Sequence, residues 1–260
     1  NLKVTGYYDV NENLAKEAAT FTETTFIEDL ETIVKISDTL FLTVPDDLIT
    51  TVWNQMKDMS LEGKFICHCS GALSAGDAFP GIDKCGAFGY SVHPLFAVSD
   101  KYNSYKELSH AYFVIEGDEK HREEIAGIFN NLGNEVRYIA AKDKVKYHCA
   151  AAVCSNHVVA LIQESLDLMQ ECGFDEESAL KALAPIMLGN MQHIAERGTV
   201  NSLTGPVERA DVKTVEKHLN CLDEKQQMIY RLLSEVLISI GEKKNPGRDY
   251  GRLKHILGNE

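Results

Sequence analysis

Positive charge is scarce in this 260-residue chain, in which 26 Lys and Arg stand against 39 Asp and Glu for a formal net charge of -13. Surfaces that bind nucleic acid need clustered Lys and Arg, so this deficit argues against a DNA or RNA partner. No uninterrupted apolar run approaches the roughly 20 residues that cross a bilayer, so we predict no membrane partner. Apolar residues still make up 44% of the chain, which is enough for a globular core.

Cysteine provides neither a disulfide framework nor a zinc site. The count is odd, at seven, and no pair has the spacing of zinc ligands. Cys67, His68 and Cys69 are adjacent, but neighbours on a strand point to opposite faces, so three ligands cannot converge there. We therefore predict no metal site and a reducing, cytoplasmic location.

Short strands alternate with helices in the first half of the chain. This alternation predicts parallel βαβ units with right-handed crossovers. A tight turn is expected at 93–95, between two extended runs. The predicted strands cover 2–8, 39–43, 64–68, 87–92, 111–116 and 135–139, and the predicted helices cover 11–20, 28–36, 47–58 and 118–132.

Helices alone follow from Lys144. The pattern predicts a helix over 144–172 with Gly173 as its stop, and a second helix over 175–197 capped by Asp175. A turn over 198–206 then leads to helices over 211–220 and 223–240. The change of architecture falls at Lys144.

The stretch from Lys144 to Asn156 combines polar groups with small alanines. On a helix, one face would carry Lys144, His148, Ala151, Ala152 and Ser155, with Tyr147 and Asn156 beside it. Small side chains let a flat ligand approach, and a histidine beside a lysine can exchange protons near neutral pH. The alternative is a core helix whose His148 is satisfied by a hydrogen bond.

Five motifs together resemble one superfamily. They are FLTVPDD at 41–47, HCSG at 68–71, SVHPL at 91–95, YH at 147–148 with SN at 155–156, and LTGPVERAD at 203–211. They resemble the 6-phosphogluconate-dehydrogenase-like superfamily, and within it the Rossmann-like oxidoreductases that carry a C-terminal domain of unknown function and are akin to pyrroline-5-carboxylate reductase. The resemblance implies an α/β fold with a Rossmann-type doubly wound sheet over 1–141, followed by an all-helical substrate and dimerisation domain over 142–260.

The chain departs from this family at its beginning, because no Gly-x-Gly-x-x-Gly precedes the strand at Leu2. Family members open with a strand, that loop and a helix, and the glycines let backbone N–H groups meet the pyrophosphate. We expect the given chain to omit this piece, since the strand over 2–8 would otherwise lack its central neighbour. The alternative is a polypeptide that binds dinucleotides poorly.

The resemblance implies NAD or NADP as cofactor. Asp9 ends the first strand, where a carboxylate accepts the ribose hydroxyls of NAD and repels the 2′-phosphate of NADP. Family members more often have Ser-Arg at this position, which suits NADP, so the preference between NAD and NADP is open. The alternative role for Asp9 is to cap the next helix. The resemblance also places Thr43, Val44 and Pro45 against the cofactor, unless they form a plain turn capped by Asp46.

Further candidates lie at other strand ends and in the helical part. Ser70 and Gly71 correspond to the turn where nicotinamide and substrate meet, although Ser70 could just cap a helix. Pro94 restricts His93 to an extended conformation, so His93 is a candidate donor or acid, or a histidine satisfied inside a turn. Arg209 can clamp a carboxylate or phosphate, or pair with Glu208 or Asp211 within the chain.

We therefore predict an NAD(P)-dependent oxidoreductase that transfers hydride on a small polar substrate between the two domains; Arg209 hints at an anion. Lys144 or Lys146 and His148 would transfer the proton, and Tyr147, Ser155 and Asn156 would position the substrate. One alternative is a dinucleotide- or metabolite-binding sensor without turnover, favoured if Lys144 and His148 point into packing. Another is a structural dimer, and each hypothesis includes a homodimer through the helical domain.

Overall fold

The computed structural model describes residues 3–258 and contains two compact units, of which the first ends at Val158 and the second begins at Val159. By packing, the helix that begins at Lys144 belongs to the first unit. The boundary that the sequence predicts between the two domains, at 141/142, stays a prediction. Each unit is described in turn.

The first unit alternates strands and helices, as predicted. Its strands are β1 (Thr39–Leu42), β2 (Phe65–His68), β3 (Phe88–Leu95), β4 (Tyr112–Gly117) and β5 (Val136–Tyr138). Its helices are α1 (Glu12–Phe21), α2 (Leu30–Ile36), α3 (Asp46–Met56), α4 (Ala75–Ala78), α5 (Arg122–Asn130) and α6 (Lys144–Cys154). Short 3-10 turns cover Ile82–Cys85, Ser104–Lys106, Leu108–His110 and Ala141–Asp143.

The five strands form one sheet in the order β1-β2-β3-β4-β5. Neighbours run parallel except β3 and β4, which are antiparallel, so the expectation of parallel units holds for three of the four pairs. The predicted turn at 93–95 is wrong, because His93, Pro94 and Leu95 continue β3 and pair with β4. The pairing of β3 with β2 ends at Ser91, so no β2 residue pairs with Pro94. A proline is tolerated there because it has no N–H to donate to a neighbouring strand.

Both faces of the sheet are covered, as a doubly wound fold requires. Ile66 of β2 packs on one face with Trp53 of α3, whereas its neighbour Cys67 packs on the other face with Ile125 of α5. This alternation follows from the period of two along a strand. The predicted Rossmann-type sheet is confirmed, and the carboxyl ends of β1 and β2 lie together at one edge.

The segment before α1 is less regular than the sequence predicts. Of the strand expected over 2–8, Leu2 lies outside the described residues, and the rest contributes one parallel bridge, between Tyr7 and Phe26. Asp9 follows, and its Oδ1 accepts the Asn11 N–H at 2.7 Å. Asn11 then caps α1, so Asp9 sits in a turn that starts the helix.

The second unit is helical, as predicted for the C-terminal part. It contains α7 (Asn156–Glu171, which begins in the first unit), α8 (Glu176–Ser202), α9 (Val212–Cys221), α10 (Glu224–Lys244) and α11 (Gly251–Leu257). Asp175 caps α8, as predicted. The expected turn at Gly198 is a kink with a φ of 74°, after which the helix resumes to Ser202.

The core of the second unit joins α9, α10 and α11 around Val215, Ile238 and Leu253. By contrast, α7 and α8 bury one residue each, Leu166 and Ala179. By length and composition alone, one helical stretch within 3–258 is apolar enough to cross a membrane, over Ala141–Glu171. That stretch is interrupted by the polar pair Ser155 and Asn156, where α6 ends and α7 begins.

Candidate functional site

The turn after β2 is the centre of the candidate site. Ser70 is 5% exposed, and its hydroxyl donates to Asp46 Oδ2 at 2.5 Å and accepts the Leu73 N–H at 3.0 Å. Its own N–H donates to His68 Nδ1 at 3.1 Å. Because every polar group of Ser70 has a partner, the turn is rigid, and Gly71 is held at a fixed place.

Lys144 reaches this turn from the first residue of α6. Its Nζ donates to the Ser70 carbonyl at 2.8 Å and to the Ser91 hydroxyl, which itself donates to the same carbonyl at 3.0 Å. The side chain of Lys144 is 1% exposed. The ammonium is therefore engaged beneath the turn, whereas Lys146 is exposed on the same helix.

His93, Tyr147 and His148 meet above Gly71. The Tyr147 hydroxyl and His93 Nδ1 are 2.8 Å apart, and the two histidine rings lie edge to face with centroids 6.1 Å apart. A Cβ at position 71 would lie closest to His148 Cδ2, and it would also lie 2.9 Å from His93 Nε2 and 3.2 Å from His148 Cγ. Only a residue without a side chain leaves room for both rings.

A pocket of about 490 Å³ opens beside this group, within the first unit. Its lining joins the end of β3 to one face of α6 and the start of α7. The helical face predicted from the sequence is present, except that Lys144 turns inward. The lining residues are His93, Leu95, Phe96, Ala97, Tyr147, His148, Ala150, Ala151, Ala152, Cys154, Ser155 and Asn156.

Ser155 and Asn156 close the far end of the pocket. The Ser155 hydroxyl donates to the Ala151 carbonyl at 2.8 Å, as expected for a serine at the end of a helix. It also lies 3.1 Å from Asn156 Oδ1. Asn156 lines the pocket, and its amide group can donate hydrogen bonds to a ligand there.

The loop after β1 is tied to the turn after β2. Pro45 is the N-cap of α3, Thr43 and Pro45 are exposed, and Val44 is half-buried. Capping by Asp46, the alternative for this loop, is wrong, because Asp46 is the first helical residue and its carboxylate accepts from Ser70. This bond connects the two loops that follow neighbouring parallel strands.

Arg209 lies in the second unit, on the exposed side of the 203–211 turn. Its predicted internal partner Glu208 pairs with Arg248 at 2.9 Å and with Asn245 at 2.7 Å. Asp211 caps α9 by accepting the Thr214 N–H at 3.1 Å. Arg209 is exposed and, within residues 3–258, has no ion pair within 4.0 Å, although its charge contributes to the lowered pKa of Asp211.

Burial and one positive charge set the protonation of the site. Burial, followed by the charges of Lys144 and His148, lowers the pKa of His93 to about 4, and the Asp46 carboxylate opposes that change. Burial likewise raises the pKa of Tyr147 to about 12. Burial lowers the pKa of Lys144 to about 8, although Glu116 and Asp46 oppose that change. At neutral pH, His93 and Tyr147 are therefore uncharged, and Lys144 is still mostly protonated.

Several polar residues of the site were not identified from the sequence. Ser91 and Glu116 lie in buried strands, and Glu116 accepts the Ala75 N–H at 2.7 Å while burial raises its pKa. His68 is fully buried against Phe79, with ring centroids 5.4 Å apart. These residues could have been found in the sequence as polar residues inside otherwise apolar strands, because buried polar groups need hydrogen-bond partners.

Comparison with known families gives a match that begins at the start of β4 and ends within α10. Residues 111–237 match the model of a domain of unknown function, DUF2520. No curated protein matches the chain significantly. The predicted resemblance to proteins that carry a C-terminal domain of unknown function is confirmed by this match.

Solved structures agree over most of the chain. Protein TM1727 from Thermotoga maritima is 26% identical with a TM-score of 0.74, covering 91% of this chain and 90% of that chain. BF3122 from Bacteroides fragilis, a proposed NADP oxidoreductase, is 17% identical with a TM-score of 0.69, covering 92% and 89%. Pyrroline carboxylate reductase from Plasmodium falciparum, with NADP bound, is 14% identical with a TM-score of 0.53, covering 84% and 82%. These similarities confirm the predicted fold, a Rossmann-type sheet followed by helices.

Proposed function

We propose that the protein is an NAD(P)-dependent oxidoreductase that acts by hydride transfer on a small polar substrate. The observation that carries the proposal is the meeting of His93, Tyr147 and His148 over Gly71, beside a pocket of about 490 Å³. In doubly wound folds, ligands lie outside the carboxyl ends of the strands, which is where the turn after β2 stands.

The residues at that edge fit a nicotinamide dinucleotide. α3 begins at Asp46, and its N-cap Pro45 makes no side-chain cap, so N–H groups of the first turn can donate to an anionic group of a ligand at this edge. In the described part of the chain, Asp9 uses one carboxylate oxygen for the Asn11 N–H, which leaves the other for a ribose hydroxyl. A nicotinamide dinucleotide supplies or accepts a hydride when it is bound. The Asp9 carboxylate favours NAD, whereas the structural relatives include NADP-binding reductases, so either form is part of the proposal.

His93 and Tyr147 supply the proton in this proposal. When a carbonyl or imine is reduced, its oxygen or nitrogen must gain a proton as its carbon gains a hydride. In the tautomer in which Tyr147 donates to Nδ1, His93 carries its proton on Nε2, on the Gly71 side. When the Nε2 proton passes to the substrate, the Tyr147 proton moves to Nδ1, which leaves a neutral histidine and a tyrosinate that solvent reprotonates. His148 faces the same space and can orient the accepting atom.

The pocket wall indicates the substrate class. Leu95, Phe96 and the α6 alanines provide an apolar surface, while Ser155 and Asn156 add polar groups at one end. A small organic molecule with one reducible polar group matches this lining. In the second unit, Arg209 is a separate candidate for binding an anionic group, because its fork of donors faces solvent.

A metabolite sensor without turnover is the second candidate, and the burial of Lys144 favours it. A lysine that is 1% exposed cannot meet a substrate, whereas an exposed pocket histidine can. The two functions differ in one respect. Both bind a ligand, but only the oxidoreductase consumes NADH or NADPH.

Turnover tests the proposal. NADH and NADPH consumption is followed with small 2-oxo acids, ketones, aldehydes and cyclic imines, for the native protein and for His93→Gln. We expect turnover with at least one class, and a loss of kcat by roughly 10²–10⁴ in His93→Gln. His121→Gln is the matched control, since His121 packs on Phe65 and Phe88 at the other ends of β2 and β3. Binding without turnover on any class would leave the sensor as the function.

The proposal includes a homodimer through the helical unit. Large apolar side chains are exposed along α8 and α10, such as Ile186 at 61%, Leu188 at 70%, Met228 at 63% and Leu232 at 58%. Isolated helices are marginal in water, and α8 extends over 27 residues with one buried residue. A second copy of this surface would bury these side chains around a twofold axis.

A further inference from the structure

We propose that Lys144 is a positioning residue that fastens α6 to the turn after β2, and that it does not exchange a proton with the substrate. Through this attachment it holds Tyr147 and His148 against His93 and Gly71. The catalytic consequence rests on the proposed function, whereas the attachment itself can be tested in the protein alone.

The contacts of Lys144 support an anchoring role. Nζ has two acceptors, the Ser70 carbonyl at 2.8 Å and the Ser91 hydroxyl, which belong to two neighbouring strands and their turn. The side chain is 1% exposed and does not line the pocket. A proton donor to substrate must come within hydrogen-bond reach of it, and this ammonium faces backbone and a buried strand instead.

The position of Lys144 in α6 explains how the attachment acts on the site. Tyr147 and His148 follow three and four residues later, so they stand one turn further on the same face. Ser70 precedes Gly71, whose missing side chain accommodates both histidine rings. The hydrogen bond from Lys144 Nζ to the Ser70 carbonyl therefore fixes the distance of Tyr147 and His148 from Gly71.

Charge provides a second route from Lys144 to the site. His93 faces Lys144, Tyr147, His148 and Asp46, and the Lys144 ammonium is protonated throughout the pH range in which His93 titrates. It opposes protonation of His93, while Asp46 favours it. Removing the ammonium should therefore move the titration of His93 upwards, which a purely packing role would not do.

The test is the titration of the histidine rings by NMR, with protein labelled on the imidazole nitrogens and no ligand added. We expect Lys144→Met to raise the midpoint of His93 and to shift the resonances of both His93 and His148. Ser91→Ala keeps the ammonium but removes one acceptor, so it should shift the His148 resonances by a smaller amount. Lys142→Met, an exposed neighbour, is the matched control and should change neither histidine.

Unchanged resonances and midpoints in a folded Lys144→Met protein would overturn the inference. If that variant does not fold, Ser91→Ala decides, because unmoved His148 resonances there would refute the anchoring. Where turnover is measurable, a loss of kcat in Ser91→Ala supports a positioning role for Lys144. If Ser91→Ala keeps full kcat while Lys144→Met has no turnover, Lys144 is the proton donor and the inference is overturned. A protein without turnover refutes the proposed function and leaves the NMR result as the test.

Discussion

Gly71→Ala is the substitution that probes the candidate site most sharply. Gly71 is buried and has no positive φ, so alanine is compatible with the backbone itself. The added Cβ would lie closest to His148 Cδ2, and it would also lie 2.9 Å from His93 Nε2 and 3.2 Å from His148 Cγ. Ordinary contacts between such atoms are about 3.5–4.0 Å, so the His148 ring must move by about 1 Å and the His93 ring by several tenths of an ångström.

The cost has two opposing parts. Overpacking a filled site costs about 1–3 kcal/mol, and replacing glycine where the backbone allows it stabilises by about 0.4–1 kcal/mol. We therefore expect a net loss of roughly 1–2 kcal/mol in the free energy of unfolding. His148 lies on the exposed side of α6 and can turn into the pocket, so the loss is smaller if it does.

The effect on the site is larger than the effect on stability. A displacement near 1 Å of a proton-transfer group can reduce turnover on the order of a hundredfold. The assays are denaturant unfolding, histidine NMR and NAD(P)H turnover. Gly76→Ala is the matched control, because the nearest atom to its Cβ would be Ser74 Oγ at 4.0 Å. If Gly71→Ala has the same histidine resonances and stability as Gly76→Ala, the crowded arrangement is wrong.

Two further predictions concern pH and assembly. Burial lowers the pKa of His68 to about 4, so the unfolded chain binds more protons than the native one between pH 6.5 and 4, and stability falls as the pH is lowered through that range. His68 contributes at most about 1.4 kcal/mol per pH unit to the slope of the free energy of unfolding against pH. Urea unfolding of His68→Asn should therefore show a shallower slope than the native protein. An equal slope in the two proteins would contradict the lowered pKa of His68. Light scattering should give the mass of a dimer for the native protein and of a monomer for Leu188→Glu, whereas a monomeric native protein would refute the dimer.

The fold was predictable because its signals are local and repeated. Asp175 and Asp223 cap their helices, and short continuous runs of apolar residues mark β2 and β4, as expected of strands buried on both faces. The antiparallel pairing of β4 was not predictable, because it depends on the long connection over 96–111 and not on a pattern within either strand. The same connection places His93 inside a strand, where a proline had indicated a turn.

The candidate site was predictable in its residue types but not in its contacts. His93, Tyr147 and His148 were identified, and the structure brings them together. The inward orientation of the Lys144 side chain could not be predicted from the sequence, because a lysine at the start of a helix points inward only where buried hydrogen-bond acceptors are present. Those acceptors, Ser70 and Ser91, come from strands far away in sequence.

Binding of NADH and NADPH tests the central claim most directly. The full protein is titrated with each cofactor, and the nicotinamide fluorescence is followed to saturation. We expect saturable binding of at least one cofactor, with NADH favoured if the Asp9 carboxylate contacts the ribose. Absence of binding to either would contradict the oxidoreductase function and leave the pocket beside His93 and His148 to another kind of ligand.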